Sequence, residues 1–186
     1  LIHGNVGAGQ VFVDSSPSRH VLTTSGNTTH STTQSKFSGG SIYFDGSDTL
    51  IAAASTDWAF GTGSFTVDCW LYKLATVSWE TCVESYTQSG GNNGFICGLK
   101  DTDSTIAFYS EGGTGWSYAG GTALSLNTWY HLAWVRSGNN LRMFVNGVQQ
   151  GSSFTLSASD NLNGAEFINI GSRTGNQYIN GYMDEV

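Results

Sequence analysis

The sequence alternates apolar and polar residues with a period of two, in short segments that Gly, Asn, Asp and Ser separate. In the clearest segment, 64–72, Phe65, Val67, Cys69 and Leu71 share one face. Successive side chains of a β-strand point to opposite faces, so this alternation predicts a strand with one buried face. No comparable pattern has the helical period of 3.6 residues. The chain is therefore predicted to be all-β.

Two hairpins are predicted in the second half of the chain. Segment 128–136 carries large residues on both faces, which indicates a central strand. Residues 137–140 turn the chain into strand 141–145, and Asn146-Gly147 turns it again. The weaker strand predictions are 11–13, 41–44, 49–53, 81–84, 94–99, 105–109 and 167–171. The polar stretch 23–41 is interpreted as a loop-rich excursion.

About a dozen short strands in one domain indicate a two-sheet sandwich or a barrel. The chain has 186 residues, and a domain of this size buries roughly 70% of the surface of its unfolded chain. We predict a single domain over residues 1–186, a two-sheet antiparallel jelly-roll sandwich, with its N-terminal strand beside its C-terminal one. The predicted core comprises Phe65, Val67, Cys69, Leu71, Leu141, Met143 and Val145.

The charge balance excludes several partners. The formal net charge is −7 and no run of Lys or Arg occurs, so neither nucleic acid nor an anionic lipid surface is expected to bind. No apolar run approaches the roughly 20 residues that span a bilayer, so no membrane insertion is expected. Cys69, Cys82 and Cys97 have apolar neighbours and no metal-ligand spacing, which favours buried free thiols. A disulfide between two of these three cysteines remains an alternative.

Several short motifs occur in one order along the chain. They are Asp14-Ser15-Ser16 with His20, Phe44-Asp45-Gly46 with Leu50, residues 58–66, Trp129-Tyr130-His131, residues 141–147 and residues 181–186. Together they resemble the laminin-G-like (concanavalin A-like lectin/glucanase) jelly-roll domain of the bacterial or phage type. The resemblance implies an extracellular or virion-surface protein. Because the sequence opens without Met and stops in mid-pattern, we expect it to be part of a longer polypeptide.

Catalysis is not expected, although some relatives of this architecture are glucanases. Glycoside hydrolysis needs two carboxyl groups about 5 to 10 Å apart, and a strand supplies them as E-x-D-x-E. That triplet is absent, and Asp101-Thr102-Asp103 and Asp184-Glu185 are the nearest approaches. His131 is predicted to be a packed, hydrogen-bonded imidazole, and Asp45-Gly46 a hairpin turn. A triad assembled from distant residues, a hydrolase or a lyase stays open at this point.

Two binding functions remain. The first is glycan recognition, in which sugar rings stack on exposed aromatic faces. Its candidate residues are Trp79, Tyr86, Trp116 and Tyr118, which lie in Gly-, Ser- and Asn-rich surroundings. An alternative aromatic surface on a concave sheet face would use Trp70, Tyr72, Trp134 and Arg136. The second function is structural: a decoration domain that binds neighbouring protein subunits of a virion or extracellular assembly.

A structural Ca²⁺ is the one cofactor prediction. Related sandwich domains often hold Ca²⁺ near their joined termini, so the resemblance implies Asp184 as the first ligand. Asp14, at the end of an early strand, is the second. The consecutive Glu-Gln-Asp of pentraxin-like relatives is absent from the sequence. The predicted ion would therefore stabilise the fold and would not bridge to a sugar.

Overall fold

The computed structural model describes residues 1–4, 9–37, 39–85, 93–100, 103–164 and 166–186. These residues form fourteen strands and a 3₁₀ turn at Thr56–Trp58. The strands are β1 (Leu22–Ser25), β2 (Thr29–Ser31), β3 (Ser41–Asp45), β4 (Thr49–Ala52), β5 (Phe65–Lys73), β6 (Glu80–Ser85), β7 (Phe95–Leu99), β8 (Ile106–Ser110), β9 (Gly115–Tyr118), β10 (Trp129–Ser137), β11 (Asn140–Val145), β12 (Val148–Thr155), β13 (Ile168–Ile170) and β14 (Asn180–Asp184). Among the described residues, no helix has the length and apolar character to cross a membrane.

The strands form two antiparallel sheets of seven strands each. The first sheet has the order β1-β4-β13-β6-β7-β8-β9. The second sheet has the order β12-β11-β10-β5-β14-β3-β2. Strands of opposite halves of the sequence therefore lie side by side, as in a jelly roll. The all-β sandwich prediction is confirmed.

The interior between the sheets contains the predicted core. Residues on alternate positions of β5 and β11 point inward, and all but one of the seven predicted core residues are buried. Val67 is half-buried and packs against the core from its edge. The residues that alternate with them, such as Thr66 and Asp68, are exposed. Burial of the apolar face thus sets the register of the central strands.

The strongest strand predictions are confirmed by β5, β10 and β11, whereas the prediction of a strand at 11–13 is wrong. There Val11 and Val13 are 66% and 41% exposed, and an isolated bridge between Ile2 and Asp14 is the pairing near this segment. A single buried side chain, Phe12, gives too little apolar burial to hold a sheet strand here.

Three short strands lie where the sequence was read as loop. β1 and β2 occupy the polar stretch 23–41, and β9 occupies the Gly-rich segment around Trp116. β2 and β9 are edge strands, each paired on one side only, and β1 is the other edge of the first sheet. These residues are extended because they pair with a neighbouring strand, and not because they carry an apolar face of their own.

Two residues of the alternative aromatic surface lie inside the sandwich, so that part of the prediction is wrong. Trp134 is fully buried and its Nε1 donates to the Ala107 carbonyl at 2.7 Å. Arg136 is 1% exposed and its Nη1 donates to the Asp160 carbonyl at 2.7 Å. The register pairs Trp134 with Val67, which places both side chains on the core face of the sheet.

The two ends of the described chain are adjacent, as predicted. The Ile2 amide donates to the Val186 carbonyl at 2.8 Å, and the Val186 amide donates to the Ile2 carbonyl at 3.2 Å. The cysteines Cys69, Cys82 and Cys97 are buried free thiols of the core, also as predicted. Burial raises the pKa of the Cys97 thiol, so this thiol is a packing group and not a nucleophile.

Candidate functional site

Three of the four predicted glycan-binding residues converge in one aromatic cluster, which we call the edge cluster: Trp79, Tyr109, Trp116 and Tyr118. The ring centroid of Trp116 lies 4.5 Å from that of Trp79, 5.0 Å from Tyr109 and 5.9 Å from Tyr118. Trp116 and Tyr118 alternate with the buried Ser117 on β9, so both point away from the core. The cluster therefore lies on the outer face of the first sheet, at its edge.

The members of the edge cluster differ in access to solvent. Trp79 and Trp116 are half-buried, because the rings of the cluster pack against one another. Tyr118 is 41% exposed, and the Lys100 ammonium lies 5.7 Å from its ring centroid. Tyr118 is thus the member that a ligand can reach, and Trp116 is its support. The predicted fourth residue, Tyr86, lies outside the described residues.

Trp79 reaches the cluster through an unusual backbone conformation. Its φ of +49° lies in the left-handed region, which bulky residues rarely adopt. The residue directly precedes β6, and Trp116 and Tyr118 contact its ring. A strained residue persists only when its surroundings hold it, and such residues gather at functional sites. The fold therefore holds Trp79 in an unfavourable backbone conformation, and this conformation places its ring in the edge cluster.

Asp160 holds the turn that leads into β9 and its edge-cluster residues, and sequence reasoning missed it. Its carboxylate accepts hydrogen bonds from the Thr114 amide at 2.7 Å and from the Thr114 hydroxyl at 2.6 Å. It also accepts from the Ser157 amide at 2.6 Å. Burial alone would raise the pKa of Asp160, but these hydrogen bonds lower it to about 2. Asp160 thereby fixes the turn that begins β9, and its distance of 46 positions from Thr114 hides this from local patterns.

The two predicted calcium ligands lie on either side of the N-terminal segment. The Asp14 carboxylate accepts from the amide and hydroxyl of Ser16 and from the amide of His20. Burial raises the pKa of Asp14, but these hydrogen bonds outweigh burial and lower it. Oδ1 of Asp184 accepts from the Gly4 amide at 3.2 Å and from the Glu185 amide at 3.0 Å, and its buried Oδ2 has no hydrogen-bond partner among the described residues.

These contacts leave few oxygens for a cation. Ca²⁺ takes six to eight oxygen ligands, and the Asp14 carboxylate is already used by N–H and O–H donors, which leaves Oδ2 of Asp184 as the available carboxylate oxygen. In the described part of the chain, no group of three or more His, Cys, Asp or Glu side chains is arranged to hold a metal ion. Any calcium bound here would draw most of its ligands from other groups.

A cavity of about 400 Å³ opens between the sheets beside the N-terminal segment. At its rim, Nδ1 of His20 contacts Asp14 at 2.9 Å and Nε2 contacts Asp57 at 3.1 Å. The nearby Ser16 hydroxyl donates to Asp14 and not to the imidazole. Both ring nitrogens of His20 thus face carboxylates, and neither is placed to activate a nucleophile.

His131 lies on the outer face of the second sheet and is half-buried. Its Nε2 contacts the Asp68 carboxylate at 2.9 Å, and its ring packs 5.2 Å from that of Trp70. A packed, hydrogen-bonded imidazole was predicted at this position. The partner is an acidic residue 63 positions away, which the local sequence does not indicate.

Two of the carboxyl groups whose pKa is raised by burial, those of Glu80 and Glu84, are structural. Burial raises the pKa of Glu84, and its Oε1 accepts hydrogen bonds from the Asn169 amide and from the Thr174 amide and hydroxyl. Glu84 and Glu80 are 0% and 2% exposed, so neither reaches a substrate. A catalytic acid must lie within hydrogen-bond reach of the group it protonates. These two carboxyl groups therefore do not form a glycoside hydrolase pair.

Comparison with known proteins gives the family. A laminin G family model, described as the Concanavalin A-like lectin/glucanases superfamily, matches residues 44–186. No curated protein matches the chain. The match covers the strands from β4 to β14, together with the end of β3, and therefore both sheets of the sandwich.

Solved structures share the fold at low sequence identity. Domain 4 of the arabinanase AbnA from Geobacillus stearothermophilus, in complex with arabinotriose, is 13% identical with a TM-score of 0.66, over 88% of this chain and 79% of that chain. Botulinum neurotoxin type C, whose cell entry depends on two ganglioside molecules, is 13% identical with a TM-score of 0.64, over 97% and 42%. The enzymatically active domain of tailspike protein 2 from bacteriophage CBA120 is 15% identical with a TM-score of 0.58, over 78% and 24%. With the sandwich and the family match, the chain belongs to the laminin-G-like domains of the Concanavalin A-like lectin/glucanases superfamily.

Proposed function

We propose that this domain is a non-catalytic, extracellular glycan-binding module whose edge cluster stacks on sugar rings. One observation carries the proposal: Trp79 meets Trp116 and Tyr118 of β9 in one cluster, with Tyr118 facing solvent. Sugars present an apolar CH face and hydroxyl groups, and they pair well with an aromatic ring that polar groups flank. The Lys100 ammonium near the Tyr118 ring, with its ion-pair partner Asp103, supplies such groups.

Structural neighbours support this function. One was solved with arabinotriose, and another belongs to a toxin that interacts with gangliosides. Matches at this low sequence identity show a shared fold but do not identify the ligand. The residues that bind it must therefore be argued from this chain's own structure. The net charge of −7 disfavours polyanionic glycans. We therefore propose neutral sugars as the ligand class.

Replacing Tyr118 with alanine should abolish most glycan binding while the fold is kept. The side chain is 41% exposed, so its loss removes the stacking surface and little core packing. We expect retention on a glycan array to fall at least about tenfold and the melting temperature to change by only a few degrees. Trp116→Ala should lower the melting temperature more, because its ring supports three others.

The matched control for Tyr118→Ala is Val148→Ala, which truncates an exposed residue of the second sheet. Val148→Ala should bind every array glycan as the unchanged chain does. Equal binding by Tyr118→Ala and the unchanged chain would remove the edge cluster from the glycan site. An array with no bound glycan would reject glycan recognition itself.

The alternative structural role has one specific support. A bacteriophage tailspike protein shares the fold, and this chain spans 24% of that chain's length. A domain of this kind can therefore be one part of a larger virion protein, in which neighbouring subunits are protein partners. Repetition of a weak glycan site in such an assembly raises overall avidity. Both roles place the domain at an extracellular or virion surface.

Calcium remains a proposal that a chelator tests. An ion bound only to the folded state stabilises that state by mass action. If Asp184 and Asp14 hold Ca²⁺, EDTA should lower the melting temperature by several degrees, and excess Ca²⁺ should restore it. The variant Asp184→Asn should respond less to EDTA than the unchanged chain. Identical melting curves with and without EDTA would reject a structural calcium ion.

A further inference from the structure

A second row of aromatic residues crosses the outer face of the second sheet, opposite the edge cluster. Tyr43, Tyr182, Tyr72 and Trp129 lie on β3, β14, β5 and β10, four neighbouring strands. Direct cross-strand partners link Tyr43 to Tyr182, Tyr182 to Tyr72 and Tyr72 to Trp129. We call these four residues the tyrosine row. Three strand spacings of about 4.8 Å make it about 14 Å long.

The rings of the tyrosine row touch one another in sequence. Their centroids are 5.0 Å apart for Tyr43 and Tyr182, 5.9 Å for Tyr182 and Tyr72, and 5.5 Å for Tyr72 and Trp129. Tyr182 is 7% exposed because its neighbours cover it, whereas the other three are half-buried and reach solvent. The register of the sheet, and not sequence proximity, builds this strip.

The phenol groups of the row have no partner within the described residues. Among the described residues, the hydroxyls of Tyr43, Tyr72 and Tyr182 form no hydrogen bond, and none of the three is fully buried. They are therefore accessible to a ligand's hydroxyls. On one side the row is flanked by Asp45 and Asn180, which are cross-strand partners. Rings with free phenols beside amide and carboxylate groups match the amphipathic surface of a sugar chain.

Other occupants fit this strip less well. The neighbouring Trp70 ring already carries the Lys36 ammonium, 3.9 Å from its centroid, and the Phe37 ring, 5.8 Å away. Lys36 and Phe37 thus already occupy the Trp70 ring beside the row, which leaves less apolar surface for a flat protein partner. A nucleic acid would need several cations beside the strip. Among the described residues, Lys36 is the basic side chain that packs on an aromatic ring of this face, that of Trp70.

We propose that the tyrosine row is a second saccharide subsite, for a short neutral linear oligosaccharide lying across the strands. The inference rests on the proposed glycan-binding function and adds a site on the opposite sheet. Each domain would then bind two oligosaccharides, one at the edge cluster and one at the tyrosine row. Two sites on opposite faces allow one domain to bridge two chains of a polysaccharide.

An array of neutral linear oligosaccharides, among them arabinotriose and cellotriose, tests this with Trp129→Ala, Tyr118→Ala and the control Val148→Ala. The second site is established if the residual binding of Tyr118→Ala, about a tenth of that of the unchanged chain, falls at least about tenfold further in the double variant Tyr118→Ala/Trp129→Ala. Because Trp129 is half-buried, Tyr43→Phe/Tyr72→Phe gives a milder test. Removing two accessible hydroxyls should weaken the residual binding about three- to tenfold at an unchanged melting temperature.

The outcomes separate this inference from the proposed function. Binding that Tyr118→Ala abolishes and that neither row variant changes would overturn the second site and leave the edge cluster as the glycan site. Binding that only the row variants reduce would keep the tyrosine row and remove the edge cluster. An array without any bound neutral oligosaccharide would overturn both sites.

Discussion

Replacing Lys73 with methionine is expected to lower the free energy of unfolding by about 3–5 kcal/mol. Lys73 is fully buried on β5 of the second sheet, and its ammonium pairs with the carboxylate of Glu80 on β6 of the first sheet. It also donates to the Ser104 hydroxyl at 2.6 Å. The variant leaves a buried carboxyl group without its cation, and urea unfolding monitored by circular dichroism measures the loss.

The pH dependence of this loss identifies the carboxyl group. Burial raises the pKa of Glu80 from 4.5 to about 7, and the Lys73 cation opposes the rise. A group whose pKa is higher in the folded chain stabilises it below the unfolded pKa, and this stability is lost as the pH rises through the folded pKa. Without Lys73 the folded pKa rises further. The Lys73→Met penalty should therefore be larger near pH 8 than near pH 5.

The matched double variant Lys73→Met/Glu80→Leu removes both charges. Well-packed apolar side chains often replace a buried ion pair at little cost, so we expect this variant to recover most of the lost stability. Its stability should also lose the share of pH dependence that Glu80 contributes. A double variant as unstable as Lys73→Met would show that the damage comes from packing and not from the unpaired carboxyl group.

Replacing Trp134 with alanine is expected to cost about 3–5 kcal/mol of unfolding free energy. The side chain is fully buried on β10, and its indole donates to the Ala107 carbonyl of β8 at 2.7 Å. The contact joins the second sheet to the first. Its loss creates a large cavity between them and removes a hydrogen bond to a buried carbonyl. Chemical denaturation of the purified domain measures the loss.

Trp134→Phe separates the two contributions. Phenylalanine keeps most of the apolar volume but cannot donate to the Ala107 carbonyl. We expect it to cost about 1–3 kcal/mol, from the lost buried hydrogen bond and the smaller ring. If Trp134→Ala changed stability by less than about 1 kcal/mol, the indole would not be the packing element that its burial indicates.

The strongest strands were predictable because apolar alternation is a local property. In β5 and β11, the side chains that alternate along the sequence are those that the sandwich buries. Gly and Asn at 138–140 and 146–147 place the hairpin turns for a similar reason, since only such residues adopt positive φ at low cost. The short strands β1, β2 and β9 were not predictable, because each is extended by pairing and not by a buried face.

The candidate site was likewise predictable from the sequence only in part. Trp79, Trp116 and Tyr118 stand out in the sequence as aromatic residues in polar, Gly-rich surroundings. Their contact with Tyr109 depends on the register of β8 and β9, which pairs Tyr109 with Trp116. The support from Asp160 depends on a turn 46 positions away. The local composition identified these candidate residues, whereas their contacts with one another depend on strand pairing.

By itself the sequence determined that this chain forms an antiparallel sandwich with a core on alternate positions of its central strands. Its acidic net charge also predicts that nucleic acid is not a partner. Only the tertiary structure decided that Trp134 and Arg136 face inward and that four aromatic residues align across one sheet. The reason is physical: periodicity is encoded within a strand, whereas the register between distant strands is set by which faces the whole fold buries.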